Sequence, residues 1–310
     1  MLEQRLRVLK PSVSDTTIKT YASNIRRLRR VSKTLDYDAI SQYLKRLKPH
    51  QASNLLTSVI VLEGPERFGK LYQTLNREAE AIRGNQEFTD AEYNNWVTIR
   101  EIKEGIRRAK FDVDRMELLK VRKQKPKKLT VLIQYLLLKL YEEMHWRSDV
   151  VSVKVGKFTG ENYFHEGKFY LNKFKTSHKF KQRGLLPLVY KPSRSLGALI
   201  KKYLAVREAQ ELDHDYFIFN QKMKPIQRTT FFEIMSRATF KYVGKKIGTS
   251  ALRHIYATHF LSRNPSLHEK KKFLRNMMQL NLETFESYAR RGKDGKLASV
   301  PPKRIPPKRP

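Results

Sequence analysis

Two stretches near the end of the chain carry residue types that can act on a phosphodiester. Ser250 opens SALRHIYATHFL, in which Arg253 and His254 stand side by side. Further on, Tyr288 sits in MMQLNLETFESYARR, the only tyrosine after that segment. A phosphodiester can be cut without a metal when a side chain attacks in line, cations neutralise the charge building on the phosphate oxygens, and an acid protonates the leaving 5′ oxygen. A phenol is weak at its free pKa of about 10, so positioning and nearby positive charge must activate it. Arginine suits the nonbridging oxygens, because its planar fork donates two hydrogen bonds and keeps its charge. The chain has no cysteine, which removes a thiol nucleophile, a disulfide framework and a Cys-ligated zinc.

Composition points to the same kind of partner. The 64 Lys+Arg against 30 Asp+Glu leave a formal charge of +34, far beyond what solubility requires, and a polyanion is expected. Nucleic acid fits better than membrane, since no apolar run approaches the ~20 residues of a spanning helix and no N-terminal segment resembles a secretory signal. An intracellular location at DNA is expected, in a prokaryotic cytoplasm or in the nucleus or virus factory of a eukaryotic host. At 310 residues and 40% hydrophobic content, the chain can bury a core in about two domains.

The elements that must position these residues begin with a helical module. Thr16, Thr17, Tyr21, Ile25 and Leu28 recur at helical spacing behind Ser14 and Asp15, predicting a helix over 15–31. The patterns in 38–47, 51–62 and 65–82 add three more helices. Lys19, Arg26, Arg30 and Lys45 fall on faces or ends of this module, where they can meet DNA phosphates. Residues 83–92 lack apolar periodicity, which sets the expected boundary: a helical domain over 1–90, a second domain over 91–291, and a basic, proline-rich tail over 292–310 expected to be disordered. In the second domain, helices are expected over 99–109, 129–144, 195–210 and 229–243. Between Val151 and Val189 the period changes, and VSVKV, KFYLNKFK and GLLPLV predict a three-stranded antiparallel sheet ending in a long hairpin.

SALRHIYATHFL followed by the Tyr288 segment resembles the last part of a tyrosine recombinase, the phage-integrase family, and the N-terminal helices are similar to that family's core-binding domain. The resemblance implies a mainly α fold with a small antiparallel β-sheet: a helical core-binding domain and a mixed α/β catalytic domain. It implies that Tyr288 attacks a DNA phosphodiester, forming a 3′-phosphotyrosyl link, with Arg253 as the second arginine of the site and Arg147, in MHWRSDVV at the end of an apolar helix, as the first. The family's lysine sits on the hairpin of the small sheet. Here Lys173, Lys175, Lys179 and Lys181 are available; Lys175 is the preferred catalytic lysine, because Lys175-Thr176 followed by a turn and a strand ending in Leu-Pro187-Leu resembles the family's Lys-Thr turn, and Lys179, whose spacing to Pro187 is closer to the short hairpins of other members, is second. Lys173 and Lys179 otherwise serve as DNA contacts, as does His254, which relatives usually keep for structure.

Two positions depart from the family pattern. Ser250 stands where many members have a histidine, and Gln279 where they have His or Trp. Neither is a strong acid or base, though both can hydrogen-bond a phosphate oxygen. The partners implied are double-stranded DNA and further copies of the chain, as a homo-tetramer on two DNA sites, with no cofactor or metal. Integration or excision of a viral or mobile element is the expected role. A type IB topoisomerase-like enzyme and a non-catalytic DNA-binding relative remain alternatives.

Overall fold

The computed structural model describes residues 1–276, 281–292 and 295–297. The chain divides into two compact units, Met1–Asn85 and a larger one beginning at Gln86.

The first unit is helical: α1 (Leu2–Leu9), α2 (Asp15–Val31), α3 (Tyr37–Lys45), α4 (Pro49–Glu63) and α5 (Gly69–Gly84). Helix α2 covers the span read from its periodicity, and Ser14 caps it by accepting the Thr17 N–H at 3.2 Å. Its apolar stripe serves two clusters, one around Leu6, Ile18, Ile25 and Leu62 and one around Leu28, Leu44, Leu56 and Phe68. Helix α1 adds to the four expected helices. It buries only Leu6, too little to leave a periodic signal in the sequence.

The second unit opens with α6 (Asp90–Asn95), α7 (Ile99–Arg115) and α8 (Pro126–Glu143), followed by β1 (Val153–Val155), β2 (Asn162–His165) and β3 (Lys168–Leu171). Then come α9 (Ser177–Gln182), β4 (Leu188–Tyr190), α10 (Arg194–Glu208), α11 (Arg228–Val243), α12 (Thr249–Leu261), α13 (Leu267–Asn276) and α14 (Leu282–Glu286). Helix α8 buries residues on every side, among them Leu132, Ile133, Leu137 and Tyr141, as a helix at the centre of a core must. It contacts α7, α10 and α11.

The sheet corrects the expectation of three antiparallel strands. It has four strands in the order β1-β2-β3-β4, and β1 pairs with β2 in parallel, while β2–β3 and β3–β4 are antiparallel. Strand β2 (NYFH) has no period-two pattern in its sequence, because its first three residues are all buried and so do not alternate. Its signal was the turn that follows: Glu166 and Gly167, both at positive φ (47° and 73°), make the two-residue hairpin to β3. The expected long hairpin is also interrupted, since α9 lies between β3 and β4. Phe180 of α9 is fully buried and stacks edge-on against Phe174 at 5.1 Å, which explains why this stretch folds as a helix on the core instead of extending as strands.

Helices α7 and α11 pack tightly at Gly105. A Cβ there would lie 2.6 Å from Val243 Cγ2 and 3.0 Å from the Tyr242 carbonyl. Gly197 in α10 has open space around its missing Cβ. Gly105→Ala should therefore lose about 1 kcal/mol net, overpacking outweighing the gain in helix propensity, while Gly197→Ala should gain up to about 1 kcal/mol. Denaturant unfolding of the two variants checks this; the same sign for both would contradict the packing described.

Candidate active site

Three distant parts of the larger unit bring Arg147, Arg253 and Tyr288 together. Tyr288 follows α14, whose Phe285 is fully buried among Ala257, Leu261, Leu274 and Ala289. The Tyr288 N–H donates to the Phe285 carbonyl at 3.0 Å, a tight turn that fixes where the phenol leaves the chain. The phenol oxygen lies 3.4 Å from Arg147 Nη2, and the Arg253 guanidinium carbon lies 4.8 Å from the ring centroid. Such a cation over a ring face is worth about 2 kcal/mol when desolvated.

Arg253 is 1% exposed, and its Nη1 donates to the His145 carbonyl at 2.9 Å. The fork is thus held from behind while its charge reaches Tyr288. Arg147 leaves the chain just beyond α8, and its backbone is held on both sides: Tyr141 Oη donates to its carbonyl, and its N–H donates to Asp149 Oδ2 at 3.2 Å. The preceding Trp146 is buried edge-on against Phe169 (5.2 Å) and Tyr190 (6.0 Å), which ties this turn to the sheet. Burial pushes the Asp149 carboxyl up, against the pull of Arg147, Arg228 and Arg253. Burial alone would likewise raise the Tyr288 phenol, but the charges of Arg253 and Arg147 and their hydrogen bonds prevail and hold it below the ordinary tyrosine value.

A cleft of about 510 Å³ opens in front of the phenol, lined by Arg147, Thr176, Lys179, Arg183 and Tyr288 among others. Lys179 reaches it from α9, and Arg183, which the sequence did not single out, stands one turn further on. Lys175 is exposed in the turn before α9 and does not line the cleft. Lys173 is exposed and paired with Glu161. The chain entering this turn is anchored by Asn162, whose fully buried amide accepts from the Asn172 and Lys173 N–H groups (2.8 Å each) and donates to Ser152 Oγ (2.8 Å) and the Lys173 carbonyl (2.6 Å).

The remaining sequence candidates are less closely engaged. Ser250 is exposed in the first turn of α12, one turn before Arg253, and does not line the cleft. Gln279 lies outside the described residues. His254 is half-buried with both ring nitrogens in use, Nδ1 at 2.7 Å from the Tyr288 carbonyl and Nε2 at 3.2 Å from Arg290 Nη2, so it supports the Tyr288 peptide. In the first unit Lys19, Arg26, Arg30 and Lys45 are all exposed, with Arg26 3.1 Å from Glu3. Arg290 and Glu92, missed in the sequence, form an ion pair at 2.9 Å that is largely withdrawn from solvent.

No protein-family model matches the chain. Curated proteins likewise yield no match. Among solved structures, the fold is similar to the XerH site-specific recombinase bound to palindromic difH substrate in a post-cleavage complex, with TM-score 0.55 and 16% identity over 93% of this chain and 80% of that one. It is also matched by the crystal structure of XerA recombinase, with TM-score 0.46 and 14% identity over 95% and 94% of the two chains. The fold, mainly α with a small mixed sheet, is thus similar to that of XerH.

Removing one guanidinium should leave burial less opposed, so Arg147→Gln should raise the pKa of Tyr288. Titration of ¹³Cζ-labelled tyrosine by NMR, with the resonance assigned through Tyr288→Phe, reads this directly. A Tyr288 pKa that stays put or falls in Arg147→Gln would remove Arg147 from its surroundings.

Proposed function

We propose that the chain cleaves and rejoins double-stranded DNA as a tyrosine recombinase. The observation that carries this reading is the convergence of two guanidinium groups on one half-buried phenol at the edge of a cation-lined cleft. The resemblance of the fold to XerH, seen in its own structure after cleavage of its DNA, supports it.

In this mechanism Tyr288 Oη attacks the scissile phosphorus, the P–O5′ bond breaks, and the DNA 3′ end is left on the tyrosine as a phosphodiester. The phenolic proton passes to water. Arg147 and Arg253 hold the nonbridging oxygens, and because they are positioned before the substrate arrives they stabilise the developing charge without reorganisation. A lysine ammonium protonates the leaving 5′ oxygen. Lys179 is the stronger candidate, since it lines the same cleft as Tyr288 and Arg147, whereas Lys175 stands outside it. Attack by a 5′-hydroxyl from a second duplex then reverses the step. The covalent link retains the energy of the broken bond, so rejoining requires no nucleotide cofactor. Lys19, Arg26, Arg30 and Lys45 add phosphate contacts from the helical unit. Strand exchange between two sites calls for a homo-tetramer on DNA inside the cell, and integration or excision of a viral or mobile element is the role that suits this chemistry.

Single-turnover cleavage of a nicked duplex tests the assignments together. Arg147→Ala and Arg253→Ala should each slow cleavage roughly a hundredfold or more, the worth of one preorganised donor being about 3 kcal/mol. Lys179→Ala should cleave an ordinary phosphodiester poorly but a 5′-bridging phosphorothiolate well, because sulfur leaves without a proton. Lys175→Ala should match wild type on both substrates. The opposite pattern would move the acid to Lys175, and an arginine variant cleaving within a few-fold of wild type would take that arginine out of the site.

A further inference from the structure

We propose that Glu92, Arg290 and Gln86 are positioning residues, a strap that holds the chain at Tyr288, through His254 at one end and through Glu286 and Arg291 at the other, and so sets where the phenol stands. This rests on the reading of Tyr288 as the nucleophile. Neither Glu92 nor Arg290 lines the cleft, so any effect on cleavage must pass through Tyr288.

The geometry around His254 allows one arrangement of protons. The Tyr288 carbonyl can only accept, so His254 Nδ1, 2.7 Å away, carries the hydrogen. Arg290 Nη2 can only donate, so Nε2, 3.2 Å away, presents its lone pair. The imidazole is therefore neutral and in a single tautomer, its ring 5.0 Å from that of Tyr288. The groups facing it agree: burial, Arg290 and Arg253 lower its pKa, while the Tyr288 carbonyl and Glu92 raise it, leaving it at about 4.

Arg290 is placed in turn by Glu92. Its Nε lies 2.9 and 3.0 Å from the two carboxylate oxygens, its Nη2 lies 2.9 Å from Oε1, and its N–H donates to Thr258 Oγ1 at 2.9 Å. The Glu92 carboxylate is itself organised by the Thr89 N–H and hydroxyl, both at 2.9 Å. Burial raises its pKa, but Arg290 and Thr89 outweigh that and keep it ionised. The other end of the same segment holds both flanks of Tyr288. Gln86 Nε2 donates to the Glu286 carbonyl at 3.0 Å, the Gln86 carbonyl accepts from the Arg291 N–H at 2.9 Å, and Gln86 Oε1 accepts from Arg291 Nε at 2.8 Å. Residues 86–92 thus grip the chain before and after the nucleophile.

The test uses the full chain and three readouts: affinity for duplex DNA, first-order cleavage at saturating protein, and the ¹⁵N resonances of the His254 ring. Wild type should show Nδ1 protonated and Nε2 bare down to about pH 5, above its pKa of about 4. In Arg290→Gln the imidazole loses the cation at Nε2 and keeps Glu92 nearby, so its pKa should rise. Cleavage should slow roughly ten- to hundredfold, as expected when a nucleophile is displaced by about 1 Å, while DNA affinity stays within about threefold. Glu92→Gln keeps the shape of the side chain and removes its charge, and should slow cleavage in the same way if Arg290→Gln fails to fold. Cleavage by both variants within about twofold of an active wild type, or a His254 titration unchanged in Arg290→Gln, would overturn the strap and leave the nucleophile reading intact. A wild type that forms no covalent adduct would overturn both.

Discussion

Arg147 and Arg253 bring like charges to one phenol, and keeping them there is the constraint on which the rest of the site depends. Arg253 is almost wholly withdrawn from water, and both burial and the charge of Arg147 work against its ionised form. What offsets this is local and specific: the His145 carbonyl behind the fork, the face of the Tyr288 ring, and the Asp149 carboxyl beneath Arg147. The site therefore holds a concentrated positive field before any substrate is present. A phosphate entering the cleft would relieve the repulsion, and charge developing on its oxygens would relieve it further, which is the physical basis of preorganised electrostatic catalysis.

A field of this kind is useful only if its sources cannot move apart. The larger unit meets that need by rooting each residue in packed core. Arg147 follows helix α8, buried on every side, and sits next to Trp146, which is locked against the sheet. Arg253 occupies the second turn of α12, on a face that also buries Leu252, Ile255 and Tyr256. Tyr288 follows the Phe285 plug; its carbonyl is tied to α12 through His254, and Arg290, two residues on, is tied to α12 through Thr258 and to α6 through Glu92. The cleft's lysine is carried by α9, which Phe180 anchors and Asn162 precedes with a fully satisfied amide. Each support removes a degree of freedom that would otherwise weaken the convergence.

Arg253 and Tyr288 were legible in the sequence because each lies in a local segment with its own signature, and the apolar run of α8 pointed to Arg147 at its end. Helices α2–α5, α7, α8, α10 and α11 followed from period, as α2 behind Ser14 shows, whereas α1, α6 and α9 did not. What stayed hidden depends on contacts between distant residues. Strand β2 has no alternation to read, since its leading residues are all buried, and the parallel pairing of β1 with β2 leaves no mark in either strand. An uninterrupted hairpin over residues 173–189 favours Lys175 for its Lys-Thr turn; the helical turn of α9 instead puts Lys179 at the cleft and leaves Lys175 outside it. His254 read as a DNA contact because a histidine beside an arginine gives no hint that both of its nitrogens are spoken for. The Glu92–Arg290 pair spans a sequence separation of 198, and nothing near either residue announces the other.

The proposed mechanism stands or falls on the covalent attachment of Tyr288 to DNA. Wild-type protein and Tyr288→Phe, each incubated with a nicked suicide duplex, can be denatured, digested and examined by mass spectrometry. A denaturant-resistant adduct should form in wild type only, with the DNA 3′ phosphate on the peptide carrying Tyr288 and a free 5′-hydroxyl released, while Tyr288→Phe still binds the duplex. An adduct that persists in Tyr288→Phe, that maps to another residue, or that never forms in wild type would contradict it.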